Sequence, residues 1–266
     1  MSVYYYRPKQ KNDYLIRAKL SELAELHSRW GFWMMHHRLR ALNHEWNHKR
    51  VYRVYTEMGL NLRRKHKKRI LERVQEPLLQ PLQPNITWSM DFVHDGLING
   101  IKFRSFNIID DYNREALNIT LDTSITSKRV IRQLDQIIAW RGKPERIRVD
   151  NGPEFIAQAM VAWAKKRKIE IKFIQKGKPH QNGYVERFNR SYREEVLDAF
   201  CFNRLKEAQV LSNAWIWMYN NERPHKSLGY KTPVAFMQER LRGYASPTFL
   251  HEEENHWKTI VTNATN

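Results

Sequence analysis

The stretch Arg148-Val149-Asp150-Asn151-Gly152-Pro153-Glu154-Phe155 decides how this chain is read. A short apolar run, Ile147 to Val149, drives into Asp150, and Asn151-Gly152-Pro153 then breaks the strand. Asn-Gly permits an unusual backbone at a turn, and proline suits the first turn of a helix. A carboxylate therefore stands at the open end of a buried strand. An isolated Asp-Asn-Gly is more often only a turn former. The functional reading depends on whether other carboxylates converge on Asp150.

Working outward, Arg146 to Asp150 is the fourth strand of a longer pattern. Ile86 to Val93 is predicted as the first strand, Ile101 to Ile109 as the second and Glu115 to Leu121 as the third. Asp95-Gly96 and Asn99-Gly100 are turn signals. The tight turns make these three an antiparallel meander. Ser127 to Trp140 has helical spacing, with Val130, Ile131, Leu134, Ile137 and Ile138 inward and Ser127 as its N-cap. Reached through that helix, the fourth strand should run parallel to the first. Phe155 to Lys166 reads as a helix, Glu170 to Ile174 as a fifth strand, Tyr184 to Leu197 and Leu205 to Asn220 as two more helices. Three hairpin-linked strands followed by alternating elements imply a mixed sheet covered by helices.

The N-terminal third differs. Residues 12–29 have helical spacing in Leu15, Ile16, Leu20, Leu23 and Leu26, and residues 32–42 in Phe32, Met35, Leu39 and Leu42. After the polar break Asn43-His44-Glu45, Asn47 to Met58 forms another helix with Val51, Val54, Tyr55 and Met58 inward. This is a helix-turn-helix pattern. Its second helix would present His48, Lys49, Arg50 and Arg53 to a major groove; the alternative is a small helical unit with a solvated basic face. His36, His37, His44 and His48 lack the cysteine pair of a zinc finger, so they read as structural or DNA-facing. Arg63, Arg64, Lys65, Lys67, Lys68 and Arg69 form a basic arm suited to phosphate contact. Three prolines between Pro77 and Pro84 mark a linker. The expected domains are 1–76, a linker over 77–85, a core over 86–240 and a tail over 241–266.

The 266 residues carry a net charge of +18, with 18 Lys+Arg against 7 Asp+Glu in residues 1–85. Such a balance points to a polyanion, most simply nucleic acid. The single cysteine, Cys201, excludes an intrachain disulfide and a cysteine-based zinc site. No apolar run is long enough to span a bilayer. A reducing, cytoplasmic setting fits.

Two further acids complete a constellation. Asp91 lies inside an apolar strand, where a charged side chain needs a cation, a metal or solvent. Glu186 sits at the solvent edge of the helix stripe formed by Val185, Phe188, Tyr192 and Val196. Glu154, Glu194 and Glu195 compete for the role, whereas Asp95, Asp110 and Asp111 read as turn residues. Between Asp91 and Asp150 lie 58 residues, and between Asp150 and Glu186 lie 35.

At these residues the chain resembles a known family. Trp88-Ser89-Met90-Asp91-Phe92, Val149 to Phe155, Lys178 to Asn189, Arg223-Pro224-His225 and Leu228-Gly229-Tyr230 resemble the DDE, retroviral-integrase-like transposases. More narrowly, they resemble the second-reading-frame product of two-frame bacterial insertion sequences. Upstream, Lys49 to Arg53 and Met58-Gly59-Leu60 resemble that family's helix-turn-helix region. The turn at Asn43-His44-Glu45-Trp46 departs from it in lacking a glycine.

The resemblance implies an α/β, ribonuclease-H-like fold: a mixed five-stranded sheet with flanking helices, preceded by a small all-α helix-turn-helix-like domain. It implies Asp91, Asp150 and Glu186 as a catalytic, metal-binding triad for two Mg²⁺ ions, with Mn²⁺ an acceptable substitute. It implies Mg-dependent cleavage and strand transfer on double-stranded DNA, both transposon ends and target. The partners it implies are a homo-oligomer in the DNA complex and an upstream-frame protein or frameshift fusion, in a bacterial, nucleoid-associated cytoplasmic setting. Arg193, seven positions after Glu186, fills the family's basic position. Arg193 and Lys176 are expected at phosphates. Lys178, Asn151, His180 and Asn182 are candidates for positioning DNA. A non-catalytic DNA-binding regulator and a ribonuclease-H-type nuclease are the competing readings.

Overall fold

A computed structural model of the chain describes residues 12–62, 78–175 and 179–242. The basic arm 63–69, Lys176, Lys178 and the tail from 243 lie outside the described residues, as does the side chain of His180. Two compact units form, residues 1–69 and residues 70–266.

The described residues of the first unit form three helices: α1 (Tyr14–Leu26), α2 (Phe32–Ala41) and α3 (His48–Glu57). The three helices pack on one another and bury Ile16, Leu20 and Leu23 of α1, Met35 and Leu39 of α2, and Val51, Val54 and Tyr55 of α3; Trp30, between α1 and α2, is also fully buried. Leu15, Leu26 and Leu42, expected inward, are about half exposed. A ten- to thirteen-residue helix among only three buries a narrow stripe, so flanking leucines stay outside. Asn43 supplies the backbone freedom expected of the missing glycine. Its φ is 63°, and asparagine is one of the few residues that tolerate the left-handed region. Asn47 caps α3 through its side chain, which accepts from the Lys49 N–H at 2.9 Å.

The second unit holds a five-stranded sheet of order β3-β2-β1-β4-β5. Its strands are β1 (Thr87–Gly96), β2 (Lys102–Asp110), β3 (Ala116–Asp122), β4 (Arg146–Val149) and β5 (Glu170–Phe173). β1, β2 and β3 pair antiparallel, and β4 pairs parallel to both β1 and β5. This is the mixed sheet expected, with the ribonuclease-H-like strand order. β1 outruns its predicted end: Asp95-Gly96 belongs to the strand, and the turn follows at Leu97 to Ile101, with Gly100 at φ 85°.

Strand alternation separates the two faces. Trp88, Met90, Phe106, Ile108, Ile147 and Val149 face one way and form the main core with α4 (Ser127–Arg141), α5 (Pro153–Ile156) and α6 (Gln158–Arg167). Thr126, not Ser127, holds the cap position of α4. The helix predicted over 155–166 is broken at Ala157, whose ψ is 137°. The buried positions explain the break. Phe155, Met160 and Ala164 all enter one core, yet a five-residue step turns a helix by about 500°. A single helix would send Phe155 and Met160 to different faces.

The opposite face is polar beneath α7 (Gly183–Tyr192), which packs on β1 and β2. Ser89, Ser105, Asn107 and Asp111 are fully buried there. Asp111, read as a turn former, instead anchors a buried pair. Arg148 Nη1 meets its Oδ2 at 2.5 Å, and the Ser89 hydroxyl donates to its Oδ1 at 2.6 Å. Asp110 also goes beyond a turn role, accepting from the Asn85 and Tyr112 N–H groups.

α7 continues into a π-helical turn over Arg193–Leu197, then α8 (Leu205–Asn221). α8 packs on the edge strand β3. Gln209 accepts from the Leu121 N–H and donates to the Ile119 carbonyl, both at 2.8 Å. Asn220 does the same for Ala116, at 2.8 and 2.9 Å. Two side-chain amides thus occupy the ladder positions of a missing neighbour strand, satisfying an edge that would otherwise be open. A further helix, α9 (Pro233–Arg242), was not anticipated. Residues 78–85 run against this unit: Tyr184 donates to the Leu78 carbonyl at 2.8 Å and Gln80 to the Tyr112 carbonyl at 2.5 Å.

Candidate active site

Asp91 stands on the central strand β1, and Asp150 follows the last residue of β4. The parallel register pairs Ser89 with Arg148. Extended by two residues, it sets Asp91 beside Asp150, on strands about 4.8 Å apart. Both side chains then fall on the polar face, under α7. Glu186 lies in the first turn of α7, exposed at the helix surface.

The electrostatics join the three. Burial pushes the Asp91 carboxyl up to about 6, and the charges of Asp150 and Glu186 add to the rise. Donation from the Phe92 N–H and from Asn189 opposes it. A carboxylate desolvated beside two others is an anionic site that favours a cation. Two of the acids are steadied by short local bonds. Asp91 Oδ1 accepts from the Phe92 N–H at 2.8 Å and Oδ2 from Asn189 Nδ2 at 2.8 Å. Asp150 Oδ1 accepts from the Gly152 N–H at 3.0 Å. Among the described residues no three His, Cys, Asp or Glu side chains are drawn in tightly enough to cage an ion. The acids form an open set of oxygen donors, without cysteine or histidine. Such a donor set suits a hard divalent cation that keeps water and substrate oxygens as its other ligands.

Gly152 is needed here for space rather than conformation. Its φ of −62° is ordinary, so the unusual backbone expected at the turn is absent. A Cβ would lie 3.0 Å from Asp150 Oδ1. Gly152→Ala should therefore displace that carboxylate. A few tenths of an ångström suffice to relieve the contact, and activity at this site should fall about tenfold, since catalysis is sensitive to small misplacements, with little change in thermal melting. Parallel rate and melting measurements check it.

Two of the competing acids have structural partners. Glu154 pairs with Arg104 at 2.5 Å, which also lies over the Phe92 ring. Glu195 is held by Arg223 and by the Trp215 N–H.

The expected DNA-contacting residues divide. His48 and Lys49 are exposed on α3. His48 packs near Trp33, with centroids 5.8 Å apart. Arg50 and Arg53 both bind the buried Asp13, and Arg53 also binds Glu57. Their guanidinium groups clamp α3 to the start of α1. Arg193 donates to the His94 carbonyl at 2.6 Å and to Asp95 at 3.1 Å, tying the end of α7 to β1. Asn151 is exposed and donates to the Ile174 carbonyl. Asn182 is buried and donates to the Met90 carbonyl at 3.3 Å, which pins the start of α7 to β1. Sequence reasoning missed Asn107 and the role of Asn189. The available signal was an amide inside the apolar run Phe106 to Ile109, and a second amide one helical turn after Glu186.

An Integrase core domain matches residues 81–179 and again residues 167–233, and an HTH-like domain matches residues 11–68. A 31.7 kDa protein of insertion element IS407 from Burkholderia multivorans is 38% identical over 246 residues, covering 92% of this chain and 88% of the relative. The chain belongs to the integrase-core family of insertion-element proteins. A 39.2 kDa protein of insertion element IS476 from Xanthomonas euvesicatoria is 39% identical over 221 residues, 83% of this chain and 64% of that protein. Among solved structures, a simian T-cell lymphotropic virus intasome in complex with a PP2A regulatory subunit aligns over 90% of this chain and 78% of its own. Its TM-score is 0.50 at 19% identity, a likeness of fold.

Proposed function

We propose that this protein is a DDE transposase that cleaves insertion-element ends and joins them to target DNA in a divalent-metal-dependent reaction. The observation that carries this reading is the desolvated Asp91, which shares its field with Asp150 and Glu186. When bound, a pair of Mg²⁺ ions would supply an activated attacking oxygen and charge neutralisation at the phosphate. Asp91, Asp150 and Glu186 would hold them, with Mn²⁺ an acceptable substitute.

The chain's own residues do the rest. The Phe92 N–H and Asn189 fix the Asp91 carboxylate, and the Gly152 N–H fixes one oxygen of Asp150 and leaves the other outside that bond. Two elements of the sheet and one helix thereby present acids from three directions. Direct attack by water or a DNA 3′-hydroxyl requires no nucleophilic side chain.

His48 and Lys49 are the α3 residues placed to meet DNA, and the arm Arg63, Arg64, Lys65, Lys67 and Lys68 would follow the phosphates. Arg50, Arg53 and Arg193 reach phosphate only by leaving their carboxylate partners. Lys176 and Lys178 would extend the basic surface beside the acids. We place the helix-turn-helix-like domain in residues 1–76 and the catalytic core in 86–240, joined by 77–85. The protein would act on double-stranded DNA as a homo-oligomer, with or fused to an upstream-frame product, in the bacterial cytoplasm at the nucleoid. Among the described residues no helix is long and apolar enough to cross a membrane.

The test is Asp150→Ala assayed on element-end duplexes with Mg²⁺. Strand transfer should vanish while DNA binding persists. Transfer by the variant at the parental rate would refute the assignment. Parental protein that binds the ends but never cuts them would make the chain a regulator. Cutting of RNA–DNA hybrids without joining would make it a nuclease.

A further inference from the structure

Asp91 and Asn107 are direct cross-strand partners on β1 and β2. Asn189 enters from α7, one turn beyond Glu186, and bridges them. Asn107 Nδ2 donates to Asn189 Oδ1 at 2.7 Å, and Asn189 Nδ2 donates to Asp91 Oδ2 at 2.8 Å. Asn107 is fully buried and Asn189 nearly so.

The chain of amides has a direction, and Asp91 sets it. An ionised carboxylate only accepts, so Asn189 must turn its NH₂ toward Asp91. Its carbonyl oxygen then faces Asn107, which must answer with its own NH₂. The last atom, Asn107 Oδ1, is buried without a hydrogen-bond partner. An unsatisfied buried acceptor destabilises a fold, and a leucine of similar volume would exchange the unpaired Asn107 oxygen for an unpaired Asn189 oxygen, a change close to neutral for packing. Packing alone therefore gives no reason for an amide at position 107. Orientation of Asp91 does. We propose that Asn107 and Asn189 form a directional relay that presents Asp91 to a divalent cation, with Asn107 a positioning residue one side chain removed from the site. The proposal rests on the metal reading above and adds residues to it. Outer partners of metal-binding carboxylates typically change affinity 10–100-fold when removed.

The experiment is Mn²⁺ titration of the full chain, followed by electron paramagnetic resonance, with thermal melting of the same metal-free samples. Asp91→Asn should abolish the site. Asn107→Leu should weaken Mn²⁺ binding about tenfold or more while melting changes little. Asn107→Asp should weaken it further. A carboxylate at 107 would draw the Asn189 NH₂ toward itself and turn the Asn189 carbonyl against Asp91. A merely structural asparagine gives the opposite pattern, lowered melting with unchanged affinity, and that result overturns the relay. If Asn107→Leu does not fold, Asn189→Leu takes its place: a comparable loss supports the relay, and parental affinity overturns it. Equal Mn²⁺ binding by the parent and Asp91→Asn overturns the metal reading itself, and the relay with it. Loss in Asp91→Asn with no change in Asn107→Leu or Asn107→Asp overturns the relay alone.

Discussion

Arg148→Ala should lower the stability of the protein by about 3–5 kcal/mol, the usual cost of stripping one partner from a buried ion pair. The reason lies in Asp111, which is fully buried beside Arg148. Burial already pushes its carboxyl up to about 6, against the opposing pull of Arg148 and the Ser89 hydroxyl. Without Arg148 the carboxyl must either remain charged in a dry site or take up a proton. The pH dependence has a definite sign. A carboxyl raised above its unfolded value binds its proton more tightly in the folded state. Stability therefore falls as pH rises from the unfolded value through the folded one. Losing Arg148 raises the folded value further and widens that window upward. The deficit of Arg148→Ala should thus be largest at pH 7–8 and shrink toward pH 5. Urea denaturation of both proteins at the two pH values measures it. The double replacement Arg148→Met, Asp111→Leu should recover most of the loss, since an apolar pair of similar bulk needs no charge compensation.

Asp91→Asn should make the metal-free protein more stable and inactive at once. In the parent the Asp91 carboxyl titrates near 6, driven up first by burial and then by Asp150 and Glu186. The folded form again holds its proton above the unfolded value, so ionisation between about pH 4 and 6 weakens the fold. A neutral amide avoids that. The gain at pH 8 should be about 1–3 kcal/mol, from a carboxyl held at about 6 in place of its ordinary value, and should disappear at pH 4. Metal-free melting curves at the two pH values decide it. Adding Mg²⁺ should invert the order, because ligand binding stabilises only a protein that retains the site. DNA cleavage should fall about 10³-fold or more, in keeping with several kcal/mol of charge stabilisation from a bound metal. An acid retained at a thermodynamic loss is a trade of stability for chemistry.

Much of this architecture could be read from residue spacing. The antiparallel meander of β1, β2 and β3 follows from two tight turns, and the parallel course of β4 from the helix before it. Asp150 was visible because an apolar run ends on it. Asp91 was visible because a charge interrupts a strand. What spacing hides is pairing across distance. Asp13 lies 37 and 40 residues from Arg50 and Arg53, and nothing local marks it as their common partner. A basic helix face therefore read as a DNA surface, although Arg50 and Arg53, two of its three cations, are engaged within the fold. Asp111 failed for the same reason: Arg148 reaches it from another strand. The break at Ala157 was hidden because Phe155 and Met160 each fit a helix alone, and only the shared core demands two. Asn107 carries no periodic signal, because an asparagine within a strand looks like noise until its neighbour on the next strand is known.

The amides of Gln209 and Asn220 have a consequence for how the chain comes together during synthesis. The β1–β2–β3 hairpins can form once residue 122 has emerged, but their outer rim is sealed only by a helix that begins at Leu205. Until then the rim is a row of unanswered backbone groups, open to pairing with any neighbouring nascent chain. A product terminated near residue 200 would keep that rim permanently bare. It should accumulate as insoluble material even though every strand of its sheet is present.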